Sequence, residues 1–553
     1  MTEFTSLFGP LTDPIPDDVS VAQFILDKHH PRRPVRPAHT PWLIDDVTGR
    51  KVFYEEVACI FSPNDVDYPV AVWATHRLGG AVSTANPSYT PPELAYQLTA
   101  IKTALLLTHP AVLPTALAAA QDAGLPRDRI VLLRRQPDSP PDLAALDELV
   151  AWGLASAAAP YTEYAMRAGE PRTKVGFYCF SSGTTGRPKA VAISHYALIA
   201  NVIQAAAMTR LGDPAVPEEE RRYRPGDIAS GILPLFHIYG LVVNLHQLLF
   251  SGMAVVLMPK FAFEPFLASI AAQRITHLLL VPPMIVLLCK HPAAGKYDLS
   301  SVRAVWSGAA PLSREIVALL EKRLPGAMIG QGYGMTETAT TVSSMRLGQR
   351  VTNGGAGALI PGVRARVVKA DGTLAKVGET GELVVTGPSM ALRYANNEQA
   401  TKDTFVDGWV RTGDEVRFDE HGELWIVDRL KELIKVRGFQ VAPAELEGHL
   451  LDHPAVADAC VVPVPDEYSG EVPLAFVVPA PAVRARIAAD PAYAAQVKGE
   501  LCKSVEGAKT RYKWLAGGVE FVEEIPKTTS GKLLRRVLRD RAREMRKAPA
   551  PKL

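Results

Sequence analysis

In FYCFSSGTTGRPKAVAISH, residues 177–195, an apolar run gives way to Ser181-Ser182-Gly183-Thr184-Thr185-Gly186, then to Arg187-Pro188-Lys189, then to a second apolar run. Short apolar runs bounded by Gly and Pro read as buried strands. Glycine lets backbone amides approach a phosphate closely, the hydroxyls add donors, and the lysine adds charge. The spacing is not the GxxxxGK[ST] phosphate loop, because the lysine follows Arg-Pro and leads into a strand. Taken alone, a Ser/Gly loop of this kind reads first as a polar hairpin loop.

Outward from this stretch the chain keeps a strand–helix rhythm. TALLLTH (103–109) and IVLLRR (130–135) read as strands, and the Ala-rich segment between them as a helix ending at Gly124. AVVLMP (254–259), a helix through 264–273 and THLLLVPP (276–283) repeat the unit. Such alternation predicts a mainly parallel sheet covered on both faces. Across 357–428 the pattern changes to ARVVKADG, GELVVTG and EVRFDEHGELWIVD, whose DG and HG turns predict hairpins. A basic segment, RLKELIKVRG, follows Asp428 and opens a small α+β region. The expected division is therefore 1–428 and 429–553. Residues 1–50, rich in proline and polar groups, are expected to drape over a domain surface.

The chain has 553 residues, too many for one core at roughly 100–200 residues per domain. Lys+Arg 60 against Asp+Glu 58 gives a net charge of +2, which offers no footprint for nucleic acid. The 5 cysteines form no CxxC pair, which argues against a disulfide scaffold or zinc ribbon. The first residues, MTEFTSLFGPLTDPIPDD, carry acid and proline rather than a signal peptide's basic and apolar regions. Polar residues interrupt the most apolar stretches, 233–258 and 275–289, so neither reads as a membrane span. The terminal Pro551-Lys552-Leu553 is similar to a peroxisomal tripeptide with proline in place of serine. A peroxisomal location with an import receptor as partner is expected, and the cytoplasm otherwise.

Six further motifs follow in order: LPLFHIYG (233–240), WSGAAPLS (306–313), GQGYGMTET (330–338), WVRTGDEVRF (409–418), WIVDRLKELIKVRGFQVAPAELE (425–447) and IPKTTSGKLLRR (525–536). With the opening stretch, this ordered set resembles the adenylate-forming (AMP-binding) superfamily of acyl-CoA synthetases, 4-coumarate–CoA ligases, luciferases and adenylation domains. The resemblance runs from about residue 65 to 540. It implies a large α/β N-terminal domain of mainly parallel sheets flanked by helices, with a small β-barrel-like part, and a smaller mobile α+β C-terminal domain.

The resemblance also assigns roles. Lys532 would bridge the acyl carboxylate and the α-phosphate; His237 would stand near the carboxylate, and Lys435 near the nucleotide in one orientation. Nucleotide contacts fall to Ser181, Ser182, Gly183, Thr184, Thr185, Lys189, Gly308, Ala309, Ala310, Gln331, Gly332, Tyr333, Thr336, Asp414, Arg429, Lys431 and Gln440. Among these, Tyr333 offers adenine a flat face, and Asp414, acceptor-only when ionised, suits the paired ribose hydroxyls. Glu337 resembles the family's Mg²⁺ ligand. Lys260, Arg437 and Gly438 would meet coenzyme A; Tyr239, Val243, Trp306, Thr340 and Thr341 would wall the acyl pocket.

The implied reaction is ATP-dependent ligation of a carboxylic acid to CoA through an acyl-adenylate, with AMP and pyrophosphate released. An aryl or arylpropenoic acid is the expected substrate, with a medium-chain fatty acid as the alternative. Two features depart from the family. VFYEEV (52–57) runs almost directly into ACIFSPNDVDYP (58–69), where relatives carry a helix and loop on the order of twenty residues. Arg393 in SMALRYANN stands where glycine usually precedes tyrosine. The first departure keeps open a reading of another class, a nucleotide-binding protein without turnover. The lack of a carrier-protein segment after residue 540 disfavours a modular synthetase.

Overall fold

The computed structural model describes residues 2–28, 30–34, 43–45, 51–52, 61–155, 163–181, 188–312, 314–429, 432–436, 439–466, 469–509, 511–527 and 533–547. The shortened segment after Val57 and the tripeptide Pro551-Lys552-Leu553 lie outside them. Among the described residues, no helix is long and apolar enough to cross a membrane.

The strand–helix rhythm yields parallel pairing as expected. His277–Leu280 lies between Ile228–Gly231 and Ala304–Ser307, and Ala304–Ser307 pairs in parallel with Met328–Met335. Ala254–Leu257 extends the sheet on the other side of Ile228–Gly231. These strands are short and buried along their length, with β-branched and leucine side chains packing both faces. Phe263–Gln273 and Arg314–Arg323 cover one face, where Phe266, Ile270, Ile316 and Leu320 join a common core with Leu278 and Val305. At the sheet's edge the chain reverses, and Thr340–Ser344 runs antiparallel to Met328–Met335.

The stretch that opened the sequence reading forms two antiparallel strands, Val175–Ser181 and Lys189–Ser194, with Ser181 opposite Lys189. Residues 106–108, 130–132 and 144–145 form a small all-parallel sheet. The segment expected to contain hairpins is a six-stranded antiparallel sheet, in which Arg364–Val368 pairs with Gly381–Thr386 and Trp409–Phe418 with Leu424–Arg429. From Ile434 onward the chain builds its own five-stranded sheet and its own apolar cores around Val461, Phe476 and Leu501.

The N-terminal segment corrects one expectation. It does not merely drape over the surface: Phe4–Thr5 adds a strand to the antiparallel sheet beside Arg364 and Ala365. Val21–Leu26 forms a buried helix in the central core. Ser20 and Gln23 close a capping box at its start, and VAQFIL carries enough apolar side chains to reward burial over exposure.

Candidate functional site

In parallel sheets, ligands bind beyond the carboxyl ends of the strands, where the backbone leaves the sheet and side chains converge. Here Gly231, Ser307 and Gln331 end or leave their strands on that side and lead into LPLFHIYG, GAAPLS and GYGMTET. Together with the antiparallel sheet and the C-terminal unit they enclose one cleft of about 1660 Å³. That volume exceeds the roughly 300–1,000 Å³ of a drug-sized site and leaves room for two substrates.

Most of the residues singled out in the sequence line this cleft. Ser181, Lys189, Gly308, Ala309, Ala310, Gln331, Gly332, Tyr333, Thr336, Glu337, Asp414 and Arg429 do so, and so do His237, Tyr239, Val243, Trp306, Thr340 and Thr341. Lys260 and Lys435 are exposed and stand off it; the cleft face of the C-terminal unit carries Lys527, Leu533 and Arg535 instead. Ser182, Gly183, Thr184, Thr185, Lys431, Arg437, Gly438 and Lys532 lie outside the described residues, as does the side chain of Gln440.

Glu337 is the best-defined acid. It is 4% exposed, and its Oε1 accepts hydrogen bonds from Ser181 Oγ at 3.0 Å and Tyr394 Oη at 2.7 Å. Lys189 Nζ stands 4.9 Å from the centroid of the Tyr394 ring. Burial, and then Glu337, push the Tyr394 hydroxyl far above its ordinary range, so it remains a donor. Sequence reasoning missed Tyr394 because Arg393 broke the expected pattern. The structure removes the difficulty: Arg393 and Tyr394 alternate on a strand paired with Val191 and Ala192, leaving arginine exposed and tyrosine buried.

Can Glu337 hold Mg²⁺? The ion keeps several water ligands and is held by one or two carboxylates plus substrate phosphates rather than by an all-protein cage. A single oriented carboxylate in a cleft fits that donor set. Among the described residues there is no group of three or more His, Cys, Asp or Glu that would form a cage.

A second chain of contacts crosses from the sheet to the antiparallel domain. Tyr333 Oη donates to Asp414 Oδ2 at 2.6 Å, and Arg429 Nε lies 3.3 Å from Asp414 Oδ1. Thr412 Oγ1 accepts from the Asp414 backbone N–H at 3.1 Å and donates to Leu383 O, fixing the RTGD turn. Burial and the Asp414 charge hold the Tyr333 phenol well above its usual pKa. Gln331, which lines the cleft, also ties two of its loops together: its amide accepts from Leu312 N and donates to Gly355 O.

His237 begins a stretch whose geometry is special. Its Nδ1 accepts from Tyr239 N at 3.3 Å, which places the proton of the neutral ring on Nε2. Tyr239–Gln247 is a π-helix, an uncommon form that concentrates at functional sites. The preceding loop is held by Asn64, whose amide donates to Gly231 O and Leu233 O and accepts from Leu235 N. Asn64 was not visible as a site residue, because nothing in its local sequence indicates a partner some 170 positions away.

The aromatic walls explain two glycines. A Cβ on Gly308 would lie 2.7 Å from Tyr239 Cε1, so the small-residue strip makes room for that ring as well as for a ligand. A Cβ on Gly330 would lie 2.2 Å from Trp306 Cζ3, across the parallel pairing of these two residues. Trp306 packs against Gly330, with the Arg222 guanidinium 5.0 Å from its ring centroid.

Comparison with known proteins agrees with this architecture. The AMP-binding enzyme family matches residues 50–395, and the AMP-binding enzyme C-terminal domain matches residues 445–532. The chain belongs to the AMP-binding enzyme family. Within this family it is 37% identical over 501 residues to acyl-CoA ligase AFT1-1 of Alternaria alternata, covering 88% of this chain and 83% of that protein. It is 34% identical over 557 residues to 4-coumarate–CoA ligase 5 of Oryza sativa subsp. japonica, covering 95% of each. The fold matches the crystal structure of the anthranilate CoA ligase AuaEII with a TM-score of 0.80, at 22% identity and over 96% and 99% of the two chains. The large N-terminal and small C-terminal parts of this AMP-binding enzyme are those of its structural neighbours.

Proposed function

We propose that this chain is an ATP-dependent acid–CoA ligase that acts on an aryl or arylpropenoic acid. The observation that carries the reading is the convergence of two sets on one cleft: Glu337, Ser181, Lys189 and Tyr394 on one side, and Tyr333, Asp414 and Arg429 on the other. The first set suits a polyphosphate and the second a nucleoside. The names of the relatives, acyl-CoA ligase and 4-coumarate–CoA ligase, support the acid and thiol substrates.

In this reading a carboxylate oxygen attacks the α-phosphorus of ATP, the bond to the β-phosphate oxygen breaks, and pyrophosphate leaves. The sulfur of CoA then attacks the acyl carbonyl and AMP leaves. No enzyme nucleophile is required, so the protein contributes position and charge. Lys532 and Thr184 stabilise charge at phosphorus, Asp414 holds the ribose, Tyr333 stacks on adenine, and His237 borders the carboxylate. Mg²⁺ held by Glu337 would supply charge neutralisation to the phosphates. The present orientation turns Lys527, Leu533 and Arg535 to the cleft and keeps Lys435 away, which supports assigning it to adenylation. Rotation about Asp428 would exchange these faces before the CoA step, gating turnover. The aromatic walls of Tyr239 and Trp306 favour a flat acyl group.

The test is pyrophosphate release with ATP and Mg²⁺ across aryl, arylpropenoic and fatty acids, with and without CoA. Acid-dependent release that disappears in Lys532→Ala, with AMP and thioester appearing when CoA is added, is expected. ATP binding without release under any acid would favour the nucleotide-binding reading.

A further inference from the structure

The C-terminal unit is tied to the N-terminal body at a point away from the hinge. Helix Pro282–Lys290 in the body ends in a lysine, and helix Pro443–Leu451 belongs to the C-terminal unit. The last carbonyls of a helix have no partner within it, and the helix dipole makes that end attract a cation. Lys290 meets both needs across the boundary: its Nζ donates to Leu451 O, the last carbonyl of the second helix, at 2.6 Å. Leu451 and its neighbour Asp452 line the cleft, whereas Lys290 is not among the residues that do. The lysine therefore touches the C-terminal unit without standing among the groups that would hold ATP or the acid.

A like-charge pair opposes the same contact. Glu315 lies in the first turn of helix Arg314–Arg323 in the body and lines the cleft together with Asp452. Asp452 is pushed up to about 6, by burial first and by the Glu315 charge next, while His449, Lys290 and Lys509 draw it back down. Glu315 thus works against the approach of helix Pro443–Leu451, and Lys290 works for it. Ala444 N is bonded to Asp428 at the hinge. Leu451 stands seven residues further along the helix, about 10 Å away at the α-helical rise, so it swings with any rotation there.

We infer that Lys290 is a positioning residue: by capping helix Pro443–Leu451 from the N-terminal body it holds the C-terminal unit in the present orientation, and Glu315, set against Asp452, keeps that hold weak enough to release. This rests on the ligase reading above, in which the present orientation serves adenylation and the rotated one serves the CoA step. A contact made in one orientation alone shifts the ratio of the two by its full free energy. For a charge-assisted bond at a partly exposed helix end, a factor of about five is expected.

The experiment measures the two half-reactions separately on the full chain, with 4-hydroxycinnamic and octanoic acids as probes. One is pyrophosphate release in a single turnover with ATP and Mg²⁺ and without CoA. The other is thioester formation from the corresponding acyl-adenylate and CoA. Because each step uses its own orientation, the ratio of the two rates follows the orientation equilibrium. Lys290→Met should lower the ratio of adenylation to thioester formation about fivefold. Lys290→Arg, which keeps a cation at the helix end, should hold it within about twofold of wild type, and Glu315→Gln should raise it. Loss of packing alone would slow both steps alike and leave the ratio where it was. A ratio unchanged in Lys290→Met, or a fall that Lys290→Arg shares in full, overturns the inference and leaves the ligase reading standing. A ratio that does not rise in Glu315→Gln overturns the part assigned to that residue. Absence of both half-reactions with every acid overturns the ligase reading and this inference with it.

Discussion

Replacing Arg535 with methionine is expected to loosen the C-terminal unit in a way that depends on pH. The Arg535 side chain is 12% exposed, with Nη1 at 2.6 Å from Glu432 Oε2 and Nη2 at 2.6 Å from Glu447 Oε2. Glu447 is itself buried and accepts from Val461 N at 2.8 Å. Asp428, buried at the junction of the two parts, accepts from Ala444 N at 3.1 Å and also feels the guanidinium. Burial raises the pKa of both carboxyls, and Arg535 is the main opposing influence. Methionine retains much of the packing but strands the carboxylates. Breaking a buried pair from one side costs about 3–5 kcal/mol, so a loss of about 3 kcal/mol at pH 8 is expected. The sign of the pH dependence follows from linkage. With folded pKa values raised further in the variant, the folded state binds more protons than the unfolded chain, and acidification restores stability relative to wild type. Each carboxyl contributes up to about 1.4 kcal/mol per pH unit, so the deficit should shrink as the pH is lowered from 8 towards the raised folded-state values and the carboxyls take up protons. The assay is hydrogen exchange by mass spectrometry on Val456–Asp466 and Gly470–Pro479, strands at the centre of this unit. A deficit that is absent, or that grows on acidification, would refute the reasoning. Because Arg535 lies three residues after Lys532, the variant should also slow pyrophosphate release.

Three further outcomes are expected. Glu337→Gln keeps an acceptor for Ser181 and Tyr394 but removes the charge, so thermal unfolding should be nearly unchanged while pyrophosphate release falls at least about 100-fold and responds less to Mg²⁺. Gly330→Ala drives a methyl group into the Trp306 ring and should cost about 1–3 kcal/mol, read as a lower Tm; Trp306→Leu in the same chain should recover much of it. His76, His195 and His246 are held neutral by burial, His195 down to about 3 and His246 to about 4. The unfolded chain takes up protons near pH 6.5 that the folded one refuses, so stability should fall below that pH by up to about 1.4 kcal/mol per unit for each ring; His246→Gln should flatten the profile.

How much of this was legible beforehand depends on distance along the chain. The parallel sheet, the hairpins and the cleft-lining segments follow from short-range signals: apolar runs of strand length, turn dipeptides and small residues after strands. Trp306, Tyr239 and Glu337 were marked by motifs, and the structure brings all three to one cleft. Local sequence could not supply the partners. Tyr394 reaches Glu337 across 57 positions, Asn64 holds the loop before His237 across 171, and the Gln331 amide bonds to the backbone of two other segments. The buried helix Val21–Leu26 was misread because its proline-rich surroundings outweighed six residues of apolar pattern. By itself the sequence determined which elements form, because those choices are made by neighbouring residues and their periodicity. Tertiary structure alone decided which side chains meet and which of their polar atoms are satisfied, because those contacts join residues far apart in the chain.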